Sequence, residues 1–237
     1  MMRERPFRIQ SGLNKRGVTL IELLIVLVIC GILIGGTYRV FIGQTKAYTV
    51  QDQVAEVQQN VRGAMEIIVK DLLMAGFQTN TFNSALITVS PVGSPLSDNS
   101  ITVNYEYLGG GLPVTYTVTY ALVGRNLTRT LTQIPSAGPP VTDMGTILEN
   151  VDALTFAYGI DQNGDGVIDD INVDGVIDER DFVNAAGVGT AKVVAIRVVL
   201  TAQPAPVNPD VKTTVSPRTL ASAVTLRNIS FRRSQAY

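Results

Sequence analysis

Hydrophobic and polar residues follow three different patterns along this chain of 237 residues. Residues 18–36 are almost all apolar, and at ~1.5 Å per residue this run is about long enough to cross a bilayer core. From residue 50 to residue 72, apolar residues recur at spacings of three and four, which is typical of an amphipathic helix. From residue 80 onward they alternate with polar residues, as in β-strands.

The first two patterns predict one continuous helix from about Val18 to Ala75. No proline interrupts it, and Gly76 is a suitable end. We expect residues 18–36 to lie in the membrane and residues 37–77 to pack their apolar side on a head domain. That apolar side is formed by Val50, Val54, Val57, Val61, Met65, Ile68 and Leu72.

The third pattern predicts a β-rich head domain over residues 78–237. The predicted strands are 101–107, 114–122, 126–132, 151–158, 193–201, 211–215 and 220–226. Breaks typical of turns lie at 109–113 and 124–125, where glycine and proline occur. A long N-terminal helix packed on an antiparallel β-sheet gives an α+β fold.

Composition restricts the chemistry that is open to this chain. It contains no histidine and a single cysteine, Cys30, which lies in the apolar run. An intrachain disulfide is therefore impossible, and a zinc site or a thiolate–imidazole pair would lack ligands. The net charge of −1 hides an asymmetry, because residues 161–181 contain eight acidic residues and one basic residue.

One acidic residue, Glu22, lies inside the apolar run. A carboxylate in a membrane-spanning helix costs a few kcal/mol, so we expect Glu22 to have a partner. Five basic residues and one acidic residue precede the run, which predicts that this flank stays in the cytoplasm and the head is exported. The residues after the run, 35–37, match an ordinary signal-peptidase site poorly.

The basic pair Lys15-Arg16, then Gly17, Val18 and the acid at Glu22, resembles the prepilin signal of type IV pilins and type II secretion pseudopilins. In that family a prepilin peptidase cuts after the glycine and N-methylates the new first residue. The resemblance implies that residues 1–17 are a cytoplasmic leader and that cleavage falls between Gly17 and Val18. It also implies that Glu22 meets the Val18 amine of a neighbouring subunit, where each charge relieves the other's desolvation. The alternative is a signal anchor whose single acid lies near the headgroups.

Two further stretches resemble one subgroup of this family more closely. Residues 54–77 are similar to the second half of the helix in PilW-type minor pilins and GspJ-type pseudopilins, and residues 224–232 are similar to their last strand. The resemblance to PilW-type proteins implies a structural subunit for initiation or tip assembly of a surface filament, and not an enzyme. Before assembly it would span the inner membrane once with its head in the periplasm, and then join other major and minor pilins at the cell surface through an inner-membrane assembly platform.

Two other functions stay open at this point. A GspJ-type pseudopilin of a type II secretion system has the same sequence features. A pilus-tip adhesin or DNA receptor is the other alternative, although the basic cluster of Arg227, Arg232 and Arg233 is small for nucleic-acid binding.

A tandem repeat of nine residues, D-x-N-x-D-G-V-I-D, lies within residues 161–178. Its spacing is that of EF-hand-type calcium loops, which supply oxygens from positions 1, 3, 5, 7 and 9, a carboxylate at 12, and glycine at 6. The predicted ligands of the first copy are Asp161, Asn163, Asp165, the Val167 carbonyl and Asp169. Those of the second are Asp170, Asn172, Asp174, the Val176 carbonyl, Asp178 and Asp181.

Position 12 of the first copy falls on Asn172, which already serves the second copy. The ligands therefore fit one calcium site, or two coupled sites that share residues. A structural Ca²⁺ would replace the missing disulfide, and we expect 167–168 and 176–177 to pack against the head. The alternative is an acidic surface loop rich in turn-forming residues.

Overall fold

The computed structural model describes residues 17–78, 92–93, 95–109, 112–204 and 216–230. Its main elements are helix α1 (Leu20–Met74), strands β1 (Ser100–Gly109), β2 (Leu112–Val123), β3 (Asn126–Pro135), β4 (Val141–Leu148), β5 (Val151–Asp161), β6 (Phe182–Val183), β7 (Lys192–Ala202) and β8 (Arg218–Thr225), and the short helix α2 (Arg227–Ser230). Short 3-10 helices lie at Glu179–Asp181 and Ala185–Gly187. One long helix packed on antiparallel β-sheets is the predicted α+β, pilin-like architecture.

Helix α1 contributes to both units into which the chain divides, the first ending at Thr49 and the second starting at Val50. Its end is set by Gly76, whose φ of 75° is a left-handed conformation that glycine adopts without strain. The Asn228 side chain donates hydrogen bonds to the carbonyls of Leu73 and Ala75, at 3.0 and 3.3 Å. These bonds satisfy carbonyls that have no partner within the helix.

Burial differs sharply between the two parts of α1. In the first unit every side chain from residue 17 to residue 41 is exposed. In the second unit the predicted apolar stripe is buried from Val57 onward, whereas Val50 and Val54 are only partly buried. The buried members of the stripe are Val57, Val61, Met65, Ile68 and Leu72.

The head contains two antiparallel four-stranded sheets rather than one. The first has the order β1-β2-β3-β4 and the second the order β6-β5-β7-β8. The chain leaves the first sheet at Asn150, which has a φ of 54°, and β5 then pairs with β7. Side chains of both sheets, among them Val103, Tyr120, Phe156 and Leu200, join the helix stripe in one core.

The alternating pattern located most of these strands. Six predicted segments correspond to β1, β2, β3, β5, β7 and β8, and the seventh, 211–215, lies outside the described residues. Strand β4 was not predicted, because its sequence does not alternate and residues 141–146 are exposed at a sheet edge. The similarity of residues 224–232 to a last strand does not hold over 227–230, since β8 ends at Thr225 and α2 follows; residues 231–232 lie outside the described residues.

A buried polar cluster ties α1 to the first sheet. The Asp71 carboxylate accepts hydrogen bonds from the Tyr120 hydroxyl and from Arg129 Nε, the latter at 2.8 Å, and Arg129 Nε also donates to the Tyr120 hydroxyl at 3.2 Å. Burial, reinforced by the bond to Asp71, raises the pKa of Tyr120 well above its usual value. The hydroxyl therefore remains a donor, and the cluster fixes the helix against β2 and β3.

We expect Asp71→Asn to destabilise the head by about 2 kcal/mol, because Arg129 would keep its charge in a largely buried position without an anionic partner. The matched control is Asp152→Asn, which removes the more exposed pair with Arg125 and should cost less than about 1 kcal/mol. Urea unfolding of a fragment beginning at Val50 measures both changes. Equal losses would mean that the cluster does not fix the helix.

Alkaline pH should also unfold the head. Burial, followed by the nearby Asp71 carboxylate, raises the pKa of Tyr105 from 10.0 to about 12. The folded-state pKa lies above the unfolded value, so the neutral Tyr105 hydroxyl stabilises the folded head. This stabilisation is complete below pH 10 and is lost as the pH rises towards 12. In urea titrations at increasing pH, Tyr105→Phe should weaken the dependence of stability on pH in this range. An unchanged pH dependence in the variant would contradict this assignment.

Candidate processing site and acidic loop

The predicted cleavage site lies just before helix α1. Residues 17–19 are not helical, and the Val18 side chain is 70% exposed. Residues 1–16, the remainder of the predicted leader, lie outside the described residues. The Gly17–Val18 bond therefore lies in the non-helical segment before α1, with the helix beginning three residues after Gly17 at Leu20.

Thr19 caps the helix and places Glu22 in its first turn. The Glu22 backbone N–H donates to Thr19 Oγ1 at 3.3 Å, and the Leu23 N–H donates to the Thr19 carbonyl at 3.2 Å. The spacing of Thr19 and Glu22 is that of a capping box. A carboxylate in the first turn is favoured by the positive end of the helix dipole. The sequence interpretation missed this interaction, which offsets part of the cost of Glu22 before any partner arrives.

The part of α1 that follows is apolar and unburied. Among the described residues, α1 is the one helix long and apolar enough to cross a membrane, and its most apolar window is not buried at all. A Cβ atom added at Gly31, Gly35 or Gly36 would meet no atom within 4 Å apart from its chain neighbours and the nearby backbone of α1. The chain's own fold therefore does not require glycine at these positions.

The first copy of the acidic repeat folds around its own side-chain oxygens. The Gly166 N–H donates to Asp161 at 3.0 Å, the Asp165 N–H to Asn163 at 2.8 Å, and the Val167 N–H to Asp165 at 2.8 Å. The loop is closed by Asp169, which accepts from the Gln162 N–H at 2.6 Å. Gly166 has a φ of 89°, as the tight turn at position 6 requires.

The second copy repeats the first three of these hydrogen bonds at equivalent positions. The Gly175 N–H donates to Asp170 at 2.6 Å, the Asp174 N–H to Asn172 at 3.1 Å, and the Val176 N–H to Asp174 at 2.9 Å. This copy is closed by Asp181, which is fully buried and accepts from the Ile171 N–H at 2.9 Å.

Each copy is thus closed by a carboxylate of its own. The spacing alone assigned position 12 of the first copy to Asn172, but Asp169 at position 9 accepts the bond there that Asp181 accepts in the second copy. Within the described part of the chain, Asn172 forms hydrogen bonds with Asp174 and Asp181 of its own copy and with no residue of the first copy. The hydrogen-bonding pattern therefore does not require the two copies to share a residue.

Arg180 lies against the second copy as an internal counter-charge, which the sequence interpretation did not foresee. Its Nη2 is 2.7 Å from carboxylate oxygens of both Asp174 and Asp178. Hydrogen bonds from Arg180 hold the pKa of Asp178 below its usual value. Arg180 is therefore paired with two of the side chains that are predicted to bind the metal, Asp174 and Asp178. Among the described residues, no three acidic side chains are placed to hold a metal ion together.

The loop is attached to the head at a few points. The Asp169 N–H donates to the Ile160 carbonyl at 2.9 Å, and Glu179 forms an ion pair with Arg197 of β7. Ile168 lies close to Gly159 of β5. The expectation that both Val–Ile pairs pack on the head is wrong for three of the four side chains, since Val167, Val176 and Ile177 are exposed.

Of the basic residues considered for nucleic-acid binding, only Arg227 lies within the described residues. It is exposed at the start of α2. Arg232 and Arg233 lie outside them, so the basic cluster stays a prediction.

Comparison with known families agrees with the N-terminal features. The model described as the prokaryotic N-terminal methylation motif matches residues 12–38. This motif is type IV prepilin-like, and such a motif implies processing by a prepilin peptidase and assembly with other pilins. No curated protein and no solved structure matches the chain.

Proposed function

We propose that the chain is a minor type IV pilin of PilW type, made as a precursor in the inner membrane and built into a surface filament after cleavage between Gly17 and Val18. The observation that carries the proposal is the methylation motif at residues 12–38, which coincides with a helix half whose apolar side chains are all exposed. That surface needs either lipid or other helices around it. A subunit that leaves the membrane for a filament replaces its contacts with lipid by contacts with other helices.

Glu22 is proposed to guide this exchange. It lies in the first turn of α1, close to the end that cleavage would convert into a free α-amine on Val18. In apolar surroundings an ammonium group from a neighbouring subunit would offset the desolvation of the carboxylate. Thr19 holds the local backbone in place through the hydrogen bond from the Glu22 N–H.

The glycines of α1 support close packing between helices in the filament. Gly31 and Gly35 are spaced by four residues. The space beside each of them, where a side chain would begin, is not filled by a distant part of the chain. Small residues at this spacing let apolar helices approach closely. Each glycine lowers helix stability by up to about 1 kcal/mol relative to alanine, so intersubunit contact gives a reason for their presence.

A GspJ-type pseudopilin shares the leader, the apolar helix half and Glu22, and we keep it as the alternative. The two proposals differ in what fails when the gene is deleted. Loss of surface filaments favours the minor pilin. Loss of protein secretion with the filaments intact favours the pseudopilin.

We expect Glu22→Ala to be cleaved normally but to enter filaments about tenfold less, because losing an ion pair in apolar surroundings costs more than about 1.4 kcal/mol. Glu56→Ala, which removes an exposed carboxylate from the second half of α1, is the matched control and should assemble normally. Immunoblots of cells and sheared filaments measure both steps. Normal assembly of Glu22→Ala would refute the proposed role.

For the acidic loop we propose structural calcium binding, with the second copy as the main site. The support is the equivalent folding of the two copies and the concentration of eight acidic residues within 161–181. Asp170, Asn172, Asp174, Asp178, Asp181 and the Val176 carbonyl would hold the ion, which would supply the positive charge that Arg180 supplies in its absence. Calcium and Arg180 would therefore compete for Asp174 and Asp178.

Calorimetry of a fragment beginning at Val50 tests this proposal. We expect calcium to bind with a dissociation constant of about 10⁻⁴ to 10⁻³ M, and the double variant Asp174→Ala, Asp178→Ala to lose the heat. Arg180→Gln should bind more tightly, because the competing cation is gone. Asp143→Ala, an exposed acid on β4, is the control. Equal heats from the fragment and the double variant would refute the site.

A further inference from the structure

The part of α1 just beyond the apolar run has a composition of its own. Residues 37–48 contain two basic residues, Arg39 and Lys46, no acidic residue, and three aromatic residues. The aromatic side chains of Tyr38, Phe41 and Tyr48 are 63%, 64% and 66% exposed. Among the described residues, Arg39 forms no ion pair. Neither the filament role of Glu22 nor the acidic loop explains this segment.

The position of these residues along the helix matches the thickness of a membrane. Tyr38 lies 18 residues after Leu20, the first residue of α1, which is about 27 Å along a helix axis. The hydrocarbon core of a bilayer is about 30 Å thick, and each headgroup layer adds about 5–7 Å. Tyr38 and Phe41, about 27 and 31.5 Å from Leu20 along the axis, therefore lie on either side of the far edge of the hydrocarbon core when Leu20 lies at the near edge. Tyr48 lies about 15 Å past Tyr38, beyond the far headgroup layer.

The chemistry of the residues changes at the same point. The last hydroxyl before Tyr38, that of Thr37, donates to the Leu33 carbonyl at 2.8 Å, so it needs no partner from water. Tyrosine, with an apolar ring and a polar hydroxyl, is suited to the boundary between hydrocarbon and headgroups. The Arg39 guanidinium is a good donor to phosphate oxygens. The first charge after Glu22 in α1 is thus placed where lipid phosphates would lie.

We infer that Tyr38, Arg39 and Phe41 form a lipid-headgroup anchor in the periplasmic leaflet, which sets the point where α1 leaves the membrane. The partner is the phospholipid headgroup layer, with its phosphate bound by Arg39. This inference rests on the proposed anchoring of the precursor in the inner membrane. Leaving the membrane for a filament then requires these headgroup contacts to break.

The chain contains no tryptophan, so single tryptophan reporters can measure depth directly. The full precursor is reconstituted into vesicles of phosphatidylethanolamine and phosphatidylglycerol that carry bromine at a shallow or a deep acyl position. The reporters are Val28→Trp, Tyr38→Trp, Phe41→Trp and Tyr48→Trp, with Tyr107→Trp in the exposed part of β1 as the unquenched control.

We expect the deep bromine to quench position 28 most, the shallow bromine to quench positions 38 and 41 most, and neither to quench position 48. Arg39→Gln should shift the quenching of Tyr38→Trp away from the shallow pattern, and Arg62→Gln, far along α1, should not. Position 38 quenched as deeply as position 28, or not quenched, would overturn the anchor. An unquenched position 28 would instead overturn the proposed membrane anchoring, so the two failures are distinguishable.

Discussion

Helix α1 has to be stable in two different surroundings along its length, and the rest of the structure depends on this constraint. The first unit of α1 exposes every side chain from residue 17 to residue 41, whereas the second unit buries the stripe from Val57 to Leu72. Hydrogen bonds within the helix satisfy the backbone in either setting. The apolar first part therefore needs lipid or other helices, and the second part needs only the two sheets of the head.

Several acidic side chains lie where dipoles, hydrogen bonds or positive charges offset the cost of their charge. Glu22 lies in the first turn of α1, next to the Thr19 cap and the positive end of the helix dipole. Asp71, inside the head, is matched by Arg129 and Tyr120. In the acidic loop, backbone N–H groups and Arg180 surround the carboxylates. Each of these acids has a local partner, and Glu22 is the one for which we propose a second partner in another subunit.

The sequence predicted features that repeat along the chain and missed those that depend on contacts between distant residues. The stripe of α1 and the alternation in β2 were visible because burial on one side imposes a period. Strand β4 was missed because an exposed edge imposes none. The cluster of Asp71 with Tyr120 and Arg129 joins residues about fifty positions apart, and no local pattern indicates it. Asp169 closes the first acidic copy at a position that the EF-hand spacing did not predict.

The most direct test is mass spectrometry of the chain's N-terminal peptide, taken from membranes and from sheared surface filaments. We expect an intact precursor or a cleaved product in membranes, and in filaments only a chain that begins at N-methylated Val18. A filament chain that retains Gly17, or a mature chain that begins after the apolar run at residue 36, would contradict it. In the second case the apolar helix would be a removed signal, and neither Glu22 nor the Val18 amine could take part in assembly.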